Sequence, residues 1–150
     1  MANPAIDIPN LLHLYAEHLD AGRFHEVARM FDHGCVVVYG EEIRGTEAVE
    51  KMCRSFIRVY PDGTPKTRHV ASNAIIEMDE DGQGASCRSL WTLLQATDAL
   101  PLQVVGGGRY HDRFAVIDGT WCFTRREYAG VDFWGDASAH LLGPAEKWKG

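Results

Sequence analysis

The apolar positions change their spacing about halfway along the chain, from a repeat of three and four residues to a repeat of two. Ile8, Leu11, Leu12, Tyr15, Ala16 and Leu19 fall on one face of a helix, with Pro9 tolerated in its first turn and Ala21-Gly22 as a stop. Residues 1–5 are then expected to be a loose end. Phe24, Val27, Ala28 and Phe31 predict a second, short helix ended by Gly34, and the β-branched and aromatic run 35–39 predicts a strand, with 41–44 returning after a turn at Gly40. Thr46 suits the cap of a third helix, whose stripe is Val49, Met52, Cys53, Phe56, Ile57 and Tyr60 and whose breaker is Pro61-Asp62-Gly63.

Beyond Thr67 only strands are predicted. The first, 67–78, is closed by Asp79-Glu80-Asp81-Gly82. Alternation puts His69, Ala71, Asn73 and Ile75 on one face and Val70, Ser72, Ala74 and Ile76 on the other, which suggests a strand covered on both sides. An imidazole carried into such a setting is either a base or a core polar group that needs a partner. Residues 85–95, 102–116 and 119–128 complete the set, the last two joined by the tight turn 117–120, and Gly106-Gly107-Gly108 suits a sharp bend. Three helices followed by a long antiparallel meander predict an α+β domain in which a curved sheet wraps the helices.

Composition narrows the function classes. The chain has 150 residues, 45% of them hydrophobic and 24% charged, which fits a single folded domain over 1–150. Its net charge is −6 and its 15 Lys and Arg are scattered, so nucleic acid is not an expected partner. The apolar runs are too short to cross a membrane and the start lacks the features of a signal peptide, so the expected compartment is the cytoplasm. Cys35, Cys53, Cys87 and Cys122 form no Cys-x-x-Cys pair and read as reduced, mostly buried residues. The spacings of His13, His18, His25 and His33 do not put a metal-binding pair on one helix face, and neither metal nor cofactor is expected. Residues 147–150 are expected to be disordered.

Several stretches, taken in order, carry a resemblance: the helix ending at Asp20 with its following Gly22-Arg23-Phe24, then Thr67-Arg68-His69, Gly107-Gly108-Arg109-Tyr110-His111-Asp112-Arg113-Phe114, and Asp118-Gly119-Thr120-Trp121 running on to Arg125-Arg126. Together they resemble the SnoaL-like branch of the nuclear transport factor 2-like superfamily, over about residues 8–142. The resemblance implies a cone-shaped, cystatin-like α+β fold, with three N-terminal helices packed in a strongly bent, mostly antiparallel sheet around a pocket. Its members include lindane dehydrochlorinase, scytalone and bile-acid dehydratases, polyketide cyclases and the small subunits of ring-hydroxylating dioxygenases, so the fold does not choose a function.

Carried over position by position, the resemblance implies a dyad of Asp20 and His69, with Tyr15 and Arg126 polarising an oxygen and Tyr110 and Asp112 lining the pocket. Phe133 and Trp134 match a tail that covers the pocket mouth. The chemistry fits these residue types, since a carboxylate on one imidazole nitrogen fixes the tautomer that lets the other take a proton. The leading expectation is a cofactor-independent lyase or isomerase that removes a proton from carbon and eliminates a group from a small hydrophobic, cyclic substrate. The alternatives are a non-catalytic binding or assembly domain and a polyketide cyclase-like isomerase. Simpler readings of the residues also stand: Asp20 as a solvated helix end, Arg126 in an ion pair with Asp112 or Glu127, Tyr15 as core, and Phe133 and Trp134 as a seal on the sheet edge. A homo-oligomer, dimer or trimer, is expected because Trp91 or Trp121 on the outer sheet face would otherwise expose apolar area.

Overall fold

The computed structural model describes residues 1–143, and the expectation for 147–150 lies outside them. Helix α1, Pro4–Asp20, begins earlier than the apolar stripe suggests. Asn3 caps it, its Oδ1 accepting from the Ala5 N–H at 3.1 Å, and Pro4 occupies the first turn where a missing N–H costs nothing. Ala5 is therefore helical rather than loose, and Pro9 lies inside the helix. Helix α2 spans Phe24–Arg29 and α3 spans Thr46–Phe56. Gly45, not Thr46, takes the cap position of α3, while the Thr46 hydroxyl donates to Asp32 Oδ1 at 2.6 Å. The third helix stops short of Tyr60, because Ile57 turns extended and forms an isolated bridge with Leu141.

The strands are β1 (Cys35–Val38), β2 (Glu41–Arg44), β3 (Thr67–Met78), β4 (Gly84–Thr97), β5 (Leu100–Ile117) and β6 (Thr120–Trp134). They form one sheet in the order β2-β1-β6-β5-β4-β3, antiparallel throughout except where β1 runs parallel to β6. The β5–β6 turn uses positive φ at Asp118 (49°) and Gly119 (79°), the conformation that matches strand twist. Register shifts beside Leu93, Gly107 and Arg113 interrupt the long ladders and bend them. Only glycine fits at the bend. A Cβ on Gly108 would lie 2.2 Å from the Gly130 carbonyl oxygen, and one on Gly107 would lie 2.6 Å from the Phe133 ring.

The apolar stripes of the helices, including Leu12, Leu19, Val27, Phe31 and Val49, meet the inner sheet residues Cys87, Leu93, Phe114 and Phe123 in one core. Four sequence expectations are corrected here. The strand β3 does not keep strict alternation, because Asn73 adopts φ 53° in a bulge between Ser72 and Ile75. That extra residue reverses the faces, so Ile75 is 52% exposed and Ile76 packs against the core. Nor is β3 covered on both sides, since Val70 also lies exposed on the outer face. Trp91 and Trp121 are buried, and the exposed apolar side chains include Val70, Leu90, Val104 and Phe133 instead. Finally β6 continues past Tyr128 to Trp134, so Phe133 and Trp134 are strand residues rather than part of a tail that follows the sheet. All four cysteines are free thiols, three of them buried. Among the described residues no helix is long and apolar enough to cross a membrane.

Candidate functional site

Asp20 is the last residue of α1 and His69 the third of β3, so the helix end and the strand start bring together residues 49 apart in sequence. Asp20 Oδ1 lies 2.6 Å from His69 Nδ1 and 2.9 Å from the Thr67 hydroxyl, while Oδ2 accepts the His69 backbone N–H at 2.8 Å. Burial alone would raise the Asp20 carboxyl, but the His69 hydrogen bonds and charge together with the Thr67 hydroxyl outweigh it and hold it below the usual carboxylate range. An ionised carboxylate only accepts, so Nδ1 of His69 is the donor in this bond. In the neutral ring Nε2 then carries the free lone pair.

His69 forms part of the wall of a cavity of about 340 Å³. The remainder of the wall is mostly apolar, with Leu19, Met52, Phe56, Ile57 and Leu93 among its residues. Aromatic rings close it further, from Trp91 on β4, Tyr110 on β5, and Tyr128 and Trp134 on β6. A fourth kind of contribution comes from the segment after β6, which supplies His140 and Leu141. That segment is pinned from several sides. The Tyr60 hydroxyl and Gln95 Nε2 both donate to the Ala139 carbonyl, at 2.6 and 3.1 Å, and the Arg58 and Leu142 N–H groups donate to the His140 and Phe56 carbonyls, each at 2.8 Å.

The other expected site residues are placed as follows. Tyr110 lines the cavity, its ring 5.1 Å from that of Tyr128 at an angle of 84°. Tyr15 is buried behind that wall, and its hydroxyl is hydrogen-bonded to the hydroxyl of Tyr128. Burial raises all three phenols well above their ordinary range, with neighbouring phenols adding to it, so each keeps its proton. Arg126 and Asp112 are not part of the cavity wall. They form a fully buried bidentate pair at 2.9 and 2.8 Å, the partner left open between Asp112 and Glu127 being Asp112. The Arg126 guanidinium lies 3.9 Å from the Tyr110 ring centre and 4.2 Å from that of Tyr15, stacked behind the two phenols. Burial works against its charge, yet the Asp112 carboxylate raises the guanidinium above its ordinary range. Trp134 reaches the cavity, whereas Phe133, the residue before it on a strand of alternating faces, is 58% exposed over Gly107 on the other side.

Two wall residues were not singled out from sequence. Tyr128 follows Arg126 by two on β6, and strand alternation from Arg126 would have placed it on the same face. His140 carries no local signal, because its position depends on contacts with Gln95, Tyr60 and Arg58 far away in the chain. The residue is 6% exposed and its Nδ1 has no hydrogen-bond partner among the described residues. Burial pushes the imidazole down to about 3, with His69 adding to burial and Asp20 opposing it, so His140 is neutral. Cys53 also faces the cavity, but burial pushes its thiol up to about 12, which disqualifies it as a nucleophile near neutral pH. Among the described residues no three His, Cys, Asp or Glu side chains converge as a metal-binding group.

Comparison with known proteins identifies the family. Rv3472 of Mycobacterium tuberculosis, a protein of unknown function, is 26% identical, with a TM-score of 0.69 over 85% of this chain and 71% of its own. A Novosphingobium aromaticivorans protein provisionally assigned as a scytalone dehydratase is also 26% identical, with a TM-score of 0.67 over 87% of this chain and 85% of its own. A Nostoc punctiforme protein of unknown function with a cystatin-like fold is 22% identical, with a TM-score of 0.70 over 85% of this chain and 90% of its own, a likeness of fold alone. No curated protein matches the chain. Residues 6–127 match the SnoaL-like domain, and the chain belongs to that family, with its cystatin-like α+β fold.

Proposed function

We propose that the protein is a cofactor-independent lyase or isomerase that removes a proton from carbon in a small, largely apolar, cyclic ligand. The observation that carries this reading is the Asp20–His69 pair, which commits Nδ1 to a carboxylate and leaves the other ring nitrogen for a ligand in an apolar cavity. For a β-hydroxyketone the steps balance without a cofactor. His69 Nε2 takes the proton from the carbon beside the carbonyl, and the electron pair moves to the carbonyl oxygen as an enolate. The enolate collapses, the bond to the β-hydroxyl breaks, and that oxygen leaves as water with the proton from the imidazolium. Asp20 stabilises the imidazolium while it exists.

The enolate oxygen needs a donor, and Tyr110 and Tyr128 bring buried, protonated phenols to the wall. Tyr15 and Arg126 then act as positioning residues, through the Tyr128 hydroxyl and through the faces of the rings. The likeness to a protein provisionally assigned as a scytalone dehydratase supports the elimination reading over that of a passive binding domain. The test is a panel of cyclic β-hydroxyketones, beginning with 3-hydroxycyclohexanone, followed by enone absorbance and by exchange of the α-proton in D₂O. His69→Gln should reduce either signal by roughly 10²–10⁴-fold. Turnover that His69→Gln leaves unchanged, or no turnover and no exchange across the panel, would refute it.

A further inference from the structure

The segment after β6 brings a second imidazole to the cavity, and the reaction proposed above makes no use of it. His140 is nine-tenths buried, lies in the wall with His69, and is held by a chain segment tied to the end of α3 and to β4. Its backbone is fully engaged, the N–H donating to the Ala137 carbonyl at 3.0 Å and the carbonyl accepting from the Arg58 N–H at 2.8 Å. The side chain is the opposite case. Nδ1 is buried with no partner among the described residues, a condition that native structures avoid because an unpaired buried nitrogen keeps its full desolvation cost.

A neutral imidazole has one donor and one acceptor. His69 gives its donor to Asp20, whereas Nδ1 of His140 has no partner among the described residues. We propose that His140 is the second ligand-binding group of the cavity, a neutral imidazole that donates a hydrogen bond to a carbonyl or hydroxyl oxygen of the bound compound while His69 faces its carbon. The ligand class follows: a cyclic, mostly apolar molecule that carries an oxygen as well as the carbon that loses its proton. Burial and the neighbouring His69 both disfavour a charged ring, which suits a neutral donor rather than an acid that gives up its proton. The inference rests on the reading of this cavity as the ligand site, but not on catalysis there.

The matched probes are 1-tetralone and tetralin, which share a two-ring skeleton and differ by the carbonyl oxygen. Calorimetry or tryptophan fluorescence would measure both, with Trp91 and Trp134 in the wall as reporters. Wild-type protein should prefer the ketone by roughly five- to tenfold, the worth of one hydrogen bond. His140→Phe should abolish that preference while tetralin binds as before, and His140→Asn, which keeps a side-chain donor, should retain part of it. His69→Phe should keep the preference. Imidazole ¹⁵N spectra of the wild type need no variant: the His140 nitrogens should shift with tetralone and not with tetralin. The proposal is overturned by a preference that survives in His140→Phe, by one lost equally in His69→Phe, by unmoved His140 resonances, or by a wild type that does not distinguish or bind the two. Failure of the elimination chemistry would leave the expected binding pattern intact, so the two readings fall separately.

Discussion

Replacing Asp20 by Asn removes one charge and keeps the shape of the side chain, so its effect isolates the charge and the hydrogen bonds that the charge accepts. The carboxylate holds three of them: His69 Nδ1 and Thr67 Oγ1 at Oδ1 (2.6 and 2.9 Å) and the His69 backbone N–H at Oδ2 (2.8 Å). An amide has a single acceptor oxygen. If that oxygen takes the place of Oδ1, its NH₂ meets the His69 N–H donor head on. If it takes the place of Oδ2, the NH₂ faces Nδ1, which must then give up its proton to Nε2, and the base is lost with it.

Either arrangement forfeits at least one bond to a charged acceptor and weakens the others. The side chain is only 14% exposed, so solvent compensates little, and the expected loss of stability at pH 7 is roughly 2–4 kcal/mol. The sign of the pH dependence follows from the depressed Asp20 carboxyl. Its stabilisation is present above the unfolded value of about 3.9 and is lost as pH falls through the lower folded value. Urea unfolding of both proteins from pH 7 down to pH 3 should therefore show a gap that is full at neutral pH and narrows below about pH 4. A gap under about 0.5 kcal/mol at pH 7, or one unchanged at pH 3, would refute the assignment of an ionised, triply bonded Asp20.

The buried pair and the thiols supply further checks. Arg126→Met leaves Asp112 as an unpaired carboxylate in the core and should cost roughly 3–5 kcal/mol, whereas Arg126→Met with Asp112→Leu should recover most of that, as read from urea midpoints. A double variant no more stable than the single one would show that the phenol stack, rather than the charge, depends on Arg126. Iodoacetamide applied to the native protein at pH 8 should label Cys122, which is partly exposed, ahead of Cys35, Cys53 and Cys87. Peptide mass analysis that finds Cys53 modified as quickly as Cys122 would contradict the burial that pushes its thiol up to about 12.

Local pattern was enough for the order of elements, because each depends on spacing within a dozen residues. The stripe from Ile8 to Leu19 and the alternation in β4, and in β5 from Arg109 to Phe114, survive folding. What spacing could not show is where alternation breaks. Nothing in Ser72-Asn73-Ala74 marks the bulge that sends Ile75 outward, beyond the tolerance of Asn for positive φ. The pairing of Asp20 with His69 was accessible through the family resemblance, since no rule of spacing joins a helix end to a strand across 49 residues. Arg126 was expected in contact with the ligand on the same grounds, yet the Asp112 carboxylate, which accepts two hydrogen bonds from it, decides its direction, and that choice depends on strand register. His140 was beyond reach for a related reason: a side chain after the last strand acquires a position only from what the rest of the chain presents to it.

The position of Asp20 also bears on how stability and the site are coupled. A carboxylate at the C-terminal end of a helix stands against the macrodipole, where a basic residue would be favoured by about 0.3–1 kcal/mol. In α1 this local conflict is offset by three donors from the first residues of β3, so the same bonds that orient His69 also hold α1 against the sheet. A chain selected for stability alone has a simpler solution at this point, a lysine at the helix end and an apolar residue at position 69. That the sequence instead keeps a charge where the helix disfavours it, and spends β3's first donors to hold it, is the kind of local inconsistency expected where a residue is retained for its chemistry. The coupling runs in both directions: loosening the α1–β3 junction anywhere, including at Thr67, should disturb the tautomer of His69 before it disturbs the fold as a whole.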